Sequence, residues 1–200
     1  AFTIHGPSIT LLSAERLVLN VMQRMSAIAT LTNKYVKALE GLNTKVLDTR
    51  KTTPLIRFLE KEAVRVGGGV NHRYGLYDMI MLKDNHNDFS GGIEKSINKT
   101  IQYLVENNLN LKIEVETRNL DEVKEVLKVG LIDRVMLDNF SYDQIKKAVK
   151  LIDGKYETEA SGGINLKTVR KYAECGVDYV SVGALTHSVS NMDLSLKAIS

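Results

Sequence analysis

Apolar residues follow two alternating patterns along the chain, one helical and one suited to short buried strands. After Ser13, with Glu15 in the first turn, Leu17, Val21, Met25 and Ile28 recur at helical spacing; a second helical stretch runs through Lys34 to Glu40 and stops at Gly41. Beyond Gly41 the runs KVLD (45–48), MIML (79–82), LKIEVE (111–116), RVML (134–137), YETEA (156–160) and YVSV (179–182) read as six strands. Between the first two, Thr53-Pro54 predicts a helix start with proline at its first position, with Phe58, Leu59, Ala63 and Val66 inward and Gly67 at its end. Ile93, Ile97, Ile101, Leu104 and Val105 mark the next helix, Asn119 caps another, and Ser141 with Gln144 forms a capping box before a further one. Asn165 and Gly176 bracket the helix before the last strand, and a short final helix is expected near Asp193 to Ile199. The last four strands begin about 22 residues apart, the spacing of strand-helix units with short loops around a parallel sheet. Right-handed crossovers then place the helices outside. A curled, barrel-like sheet and an open doubly wound one both satisfy this pattern.

Composition narrows the class without naming a partner. The 200 residues are 44% apolar and 26% charged, which suits one main globular domain. The net charge of +3 comes from 27 basic and 24 acidic residues dispersed along the chain, so no patch for nucleic acid or membrane stands out. The single Cys175 excludes an intrachain disulfide framework and suits a reducing, cytoplasmic compartment. No apolar run approaches the roughly 20 residues of a bilayer span, and AFTIHGPSIT lacks the pattern of a signal peptide. The absence of an initiating Met is read as a start inside a longer protein.

Chemistry collects where the strands end. In either parallel architecture the C-terminal strand ends share one face, the usual place for ligands. Here those ends carry Asp48-Thr49-Arg50-Lys51, Lys83-Asp84-Asn85-His86, Glu116, Asp138-Asn139, Ser161-Gly162-Gly163 and Gly183-Ala184. Loops are polar in any protein, but six such ends form a gradient from cations through carboxylates to small residues, suited to a ligand with several anionic groups. The loop GGGVNHRYG adds His72 and Arg73, and its three glycines at 67–69 are expected to let backbone approach a ligand closely. Arginine forks pair with carboxylate or phosphate, while lysine offers a point charge. ASGGI and SVGAL are similar to the late turns that hold phosphate in barrels. Glu116 and Asp138 are hard oxygen donors that suit Mg²⁺ or sugar hydroxyls, and no Cys/His cluster has zinc spacing.

Seven strings in order, LDTRKTTP, GGGVNHRYGL, MLKDNH, IEVE, VMLDNF, ASGGI and GVDYVSVGALTHS, resemble the quinolinate phosphoribosyltransferase family, from about Gly6 to the end of the chain. The resemblance implies an α/β fold, an incomplete TIM-like barrel of about six parallel strands with outer helices, and most of the family's N-terminal α/β domain absent. It divides the chain into a remnant of that domain (1–12), connecting helices (13–41) and the phosphoribosyltransferase barrel (42–200). The implied reaction joins quinolinate to 5-phosphoribosyl-1-pyrophosphate with decarboxylation, releasing pyrophosphate and leaving nicotinate mononucleotide, in NAD biosynthesis. By the same resemblance Arg50, His72, Arg73 and Lys83 hold quinolinate, with Arg16 reaching the site from the partner subunit of a homodimer or higher oligomer. Lys51 faces the donor, Glu116 and Asp138 serve its ribose and Mg²⁺, and Ser161, Gly162, Gly163, Gly183, Ala184 and His187 take its 5′-phosphate. Lys51, Lys83, Glu116 and Asp138 are the implied catalytic groups. Two alternatives stand beside this reading, a sister protein associated with molybdenum transport and a noncatalytic barrel that binds phosphate or dicarboxylate ligands.

Overall fold

A 31-residue helix, α1 (Ser8–Ala38), opens the fold in the computed structural model, which describes residues 2–199. The two helices expected here are one, beginning before Ser13. No glycine or proline interrupts the stretch between them, and the buried stripe Leu19, Ala27, Ile28, Thr32 and Tyr35 runs through the join. Leu17, expected inward, is exposed.

The remaining elements are β1 (Lys45–Leu47), α2 (Arg57–Val66), β2 (Ile80–Leu82), α3 (Asp84–Ser90), α4 (Ile93–Glu106), β3 (Ile113–Thr117), α5 (Leu120–Val129), β4 (Arg134–Asp138), α6 (Tyr142–Ile152), β5 (Glu157–Ser161), α7 (Val169–Ala173), β6 (Tyr179–Ser181) and α8 (Ala184–His187). The six strands form one sheet in the order β1-β6-β5-β4-β3-β2, with every pairing parallel. Pairing of the first strand with the last curls the sheet. On the far side of β1, Val70 adds a parallel bridge to Leu47, donating from its N–H to Val46 O (2.8 Å) and accepting from Asp48 N–H (3.2 Å). Segments therefore follow chain order around a ring whose gap lies between Val70 and Ile80. Side chains cross the interior, since His72 lies beside both Glu114 of β3 and Glu159 of β5. This is the incomplete barrel expected, not an open sheet.

Strand alternation sorts the residues into two layers. Val115, Val135, Leu137, Ala160 and Val180 are fully buried together with Ile97, Val123, Val126, Ile145, Ile152 and Val169 of the surrounding helices. The apolar core is thus a shell between strands and helices, while the lumen is lined by Glu114, Glu116, Arg134, Met136, Glu159 and Ser181. Two helix starts agree with the sequence. Asn119 Oδ1 accepts from the N–H groups of Asp121 (3.0 Å) and Glu122 (2.9 Å), and Ser141 and Gln144 close their reciprocal box.

Other expectations need correcting. Leu55, at φ +68°, breaks the chain after Pro54, so α2 begins at Arg57. Its buried face is Glu60, Lys61, Ala63 and Val64, while Phe58 and Val66 are exposed. The charged pair is drawn in because Arg24 Nε donates to Glu60 (2.9 Å) and Lys61 Nζ to Asp48 (2.5 Å). The glycines at 67–69 serve helix packing instead of ligand approach: a Cβ on Gly67 would lie 2.5 Å from Ala29 O, and one on Gly69 2.8 Å from Thr32 Cγ2. Helix α3 was not expected, and α7 starts at Val169, with the Asn165 side chain accepting from Lys167 N–H in the turn before it. Residues 193–199 form no helix; this end runs beside α1, where Met192 N–H donates to Gln23 O and Gln23 Nε2 to Leu194 O. Among the described residues, no helix is long and apolar enough to cross a membrane.

Candidate active site

The strand ends converge on one cavity of about 350 Å³. Its cationic side is Arg50 and Lys51 after β1, His72 and Arg73 after Val70, and Lys83 after β2; its acidic side is Glu116, Asp138 and Glu159. Ser161 and Ser181 complete the wall.

Asp48, fully buried, holds the loop that carries His72 and Arg73. Its carboxylate accepts from His72 N–H (2.8 Å), Asn71 Nδ2 (2.5 Å) and Lys61 Nζ, and Lys61 also donates to His72 O (3.0 Å). Burial pushes Asp48 up and Lys61 down, and each partner opposes the shift in the other. Beyond this clamp, Arg73 is 9% exposed, yet among the described residues its guanidinium makes one hydrogen bond, a long one from Nη1 to Met79 O (3.4 Å). Burial and the neighbouring Arg50 charge lower its pKa. Lys83 Nζ instead reaches Glu116 Oε2 at 3.0 Å across the mouth. Asp84, Asn85 and His86 form the first turn of α3, where His86 Nδ1 accepts the Lys83 N–H (3.1 Å). His86 is thus the residue of the three that supports the lysine backbone.

Beneath the cavity, charges alternate down the barrel axis. His72 Nε2 lies 2.8 Å from Glu114 Oε2 and 3.3 Å from Glu159 Oε2. Arg134 Nη1 lies 3.2 Å from Glu159 and Nη2 2.9 Å from Glu157, with the guanidinium 4.1 Å over the Tyr179 ring. Burial pulls His72 down, but the two carboxylates outweigh it and carry the imidazole up to about 9. Burial and the Glu159 charge carry Glu114 up to about 7 against the pull of His72 and Arg134. Arg73 N–H donates to His72 Nδ1 at 2.6 Å, which places the ring proton on Nε2 and opposes a second one on Nδ1. The retained proton accordingly belongs to the His72–Glu114–Glu159 unit more than to the ring alone. With Nδ1 held as an acceptor, the proton stays on Nε2, the ring atom nearest both carboxylates, which argues against metal ligation by this triad despite the closeness of its ligand atoms.

The glycine-rich ends stand on the far rim. Gly162, at φ +103°, passes so close to Asn139 that a Cβ would lie 2.1 Å from its Oδ1. A Cβ on Gly183 would lie 3.0 Å from His187 Nε2 and 3.3 Å from Lys51 Cδ, so this backbone runs between the two side chains. Thr186 Oγ1 ties the turn to Lys51 by donating to its carbonyl (2.8 Å). Gly162, Gly163, Ala184 and His187 flank the cavity without lining it. Arg16 is exposed on α1 and does not reach it.

Sequence reasoning missed Glu114, Glu159, Arg134 and Lys61. The first two had a readable signal. Glu114 and Glu116 in IEVET, and Glu157 and Glu159 in ETEAS, repeat at two-residue spacing, which puts both carboxylates of each strand on one face and marks a polar lumen.

Residues 28–197 match the family model for the C-terminal domain of quinolinate phosphoribosyl transferase. The chain is 46% identical to a mitochondrial quinolinate phosphoribosyltransferase [decarboxylating] of Nicotiana glauca over 97% of its own length and 59% of the relative's. It is also 46% identical to a probable nicotinate-nucleotide pyrophosphorylase [carboxylating] of Bacillus subtilis, covering 96% of this chain and 65% of that one. Among solved structures, that of NadC from Streptococcus pyogenes superposes with a TM-score of 0.89 at 44% identity, over 96% of this chain and 66% of the other. The chain thus spans roughly three fifths to two thirds of the length of these relatives.

Proposed function

Because the chain belongs to the quinolinate phosphoribosyltransferase family, we propose that the protein transfers phosphoribosyl from 5-phosphoribosyl-1-pyrophosphate to quinolinate, with decarboxylation, to give nicotinate mononucleotide for NAD synthesis. The observation that carries this reading is Arg73, a buried guanidinium short of protein partners beside Arg50 and Lys83. A buried cation so placed calls for an anion, and quinolinate brings two adjacent carboxylates.

In this reading Arg50, Arg73 and Lys83 hold those carboxylates, and His72 forms the floor beneath them. The pyridine nitrogen attacks the anomeric carbon as its bond to the diphosphate oxygen breaks, so positive charge develops on the ribose and negative charge on the leaving group. Glu116 and Asp138 face the first, accepting from ribose hydroxyls, and Lys51 faces the second. Positioning and electrostatics then supply the catalysis, with no side-chain nucleophile. The quaternised nitrogen stabilises the carbanion left when CO₂ departs from the adjacent carbon, which then takes a proton. Backbone N–H groups of Ser161 to Gly163 and of Gly183 and Ala184, with His187 beside them, receive the 5′-phosphate. Glu116 and Asp138, an all-oxygen donor set, also suit Mg²⁺, which when bound supplies charge neutralisation for the diphosphate. Arg16, exposed and outside its own cavity, fits a role in the site of a second copy in a homodimer. A cytoplasmic, reducing setting suits the lone buried Cys175.

The complete protein, incubated with quinolinate, the phosphoribosyl donor and Mg²⁺, is expected to form nicotinate mononucleotide, read by chromatography. No product would sink the reading. Preference for nicotinate would point to a related transferase without the decarboxylation.

A further inference from the structure

We propose that Asn139 is a positioning residue that couples the two halves of the donor subsite, aiming the Asp138 carboxylate and bracing the Gly162 turn. The inference rests on the reading of this rim as the phosphoribosyl-donor site.

Three contacts of one residue carry it. Asn139 sits at φ +57°, the left-handed region that non-glycine residues enter at a cost, though asparagine tolerates it better than most. In that conformation its Nδ2 donates to Asp138 Oδ2 at 2.7 Å. Its backbone N–H donates to Ser161 O at 2.9 Å, continuing the β4–β5 ladder past the end of β4. The amide also fills the space a side chain at position 162 would need, with Oδ1 and Cγ 2.1 and 2.6 Å from a Cβ placed there.

Asp138 is the last residue of β4 and half-buried, and among the described residues its carboxylate accepts one side-chain hydrogen bond, from the Asn139 amide, which orients it. The same amide backs the turn whose neighbours, Ser161 and Gly163, flank the phosphate side of the rim. A ribose acceptor and a phosphate turn are thereby set at a fixed spacing, which a donor carrying both groups on one sugar requires. The residue type follows from the same geometry. Aspartate at 139 would set two carboxylates against each other, and alanine would keep the strained backbone and lose the hydrogen bond.

Asn139→Gly separates this role from simple accommodation of the turn, because glycine keeps the left-handed backbone at no cost and removes only the amide. In the complete protein, Asn139→Gly and Asn139→Asp are expected to lower kcat/KM for the phosphoribosyl donor by about tenfold or more, with KM for quinolinate held within about twofold, as loss of a hydrogen bond supporting a functional ligand group does. The melting temperature of Asn139→Gly should not fall. Wild-type kcat/KM for the donor in Asn139→Gly would overturn the proposal. Should the wild type make no nicotinate mononucleotide, the functional reading fails, and crystal structures still decide the positioning. An Asp138 carboxylate that turns away in Asn139→Gly supports it, and one that keeps its present orientation refutes it.

Discussion

Arg73 shows at the scale of one residue how burial leaves a charge short of partners. A guanidinium with five donors and one long internal hydrogen bond is held in place by backbone, because Asp48 fixes the preceding residue and leaves the arginine fork directed at the cavity. Arg73→Ala should weaken quinolinate binding by about 10- to 100-fold, the equivalent of roughly 1.5–3 kcal/mol for a hydrogen bond to a charged group. Arg73→Lys should recover only part of this, since a point charge does not replace a fork. Calorimetry of the complete protein with quinolinate measures both, and unchanged affinity in Arg73→Ala would remove the residue from the site. Its neighbour Arg50 is exposed, so the same change there should cost less. His72 and Arg73 were legible as an anion-binding pair in the string NHRYG. The hidden supports, Asp48 and Lys61, were not, because a buried ion pair between a strand end and a helix leaves no periodic trace in sequence.

Among the elements, the α1–α2 contact depends on the absence of side chains. Gly67 closes α2 against the backbone of Ala29, and the contact leaves no room for a methyl group. Gly67→Ala should therefore destabilise the protein by about 1–3 kcal/mol through overpacking. The urea midpoint should fall with little change in slope; an unchanged midpoint would show that α1 yields freely. Local signals identified the elements whose ends are made by their own side chains, such as the caps at Asn119 and Ser141. They failed where a neighbour decides. Pro54 reads as a helix start but Leu55 leaves the helical region, and Phe58 reads as core on a helix whose buried face, Ala63 and Val64 apart, is Glu60 and Lys61.

Over the whole molecule, the barrel places its apolar material outside the strands and its charges along the axis. The His72–Glu114–Glu159 unit joins the loop after Val70 to β3 and β5, so its titration is coupled to closure of the ring. Against ordinary values of 6.5 and 4.5, His72 is raised to about 9 and Glu114 to about 7. The folded state then binds more protons than the unfolded state between these limits, and stability must fall as pH rises through the window. Arg134 and Glu157 below the unit, and Arg73, Asp48 and Lys61 beside it, are the other charges that face it. Thermal unfolding should show a lower melting temperature at about pH 9 than at about pH 6.5. Glu159→Gln, which removes one of the charges that raise His72, should flatten the difference. A melting temperature constant across that range would mean that the unit does not hold its extra proton.

What the sequence determined by itself was the class of the fold, the succession of six strand-helix units and most of the rim, because strand periodicity and strand-end polarity are local properties. Arg50, Lys51, Arg73, Lys83, Glu116, Asp138 and Ser161 all line the cavity because each lies at the C-terminal end of a parallel strand or its following loop, and parallel strands bring those ends to one face. Only the tertiary structure decided that the sheet curls, that the glycines at 67–69 serve helix packing, that Lys83 is met by Glu116, and that a charged ladder fills the lumen. Each of these depends on groups distant in the chain coming within a few ångströms, where burial, not residue type, sets the energy of a charge.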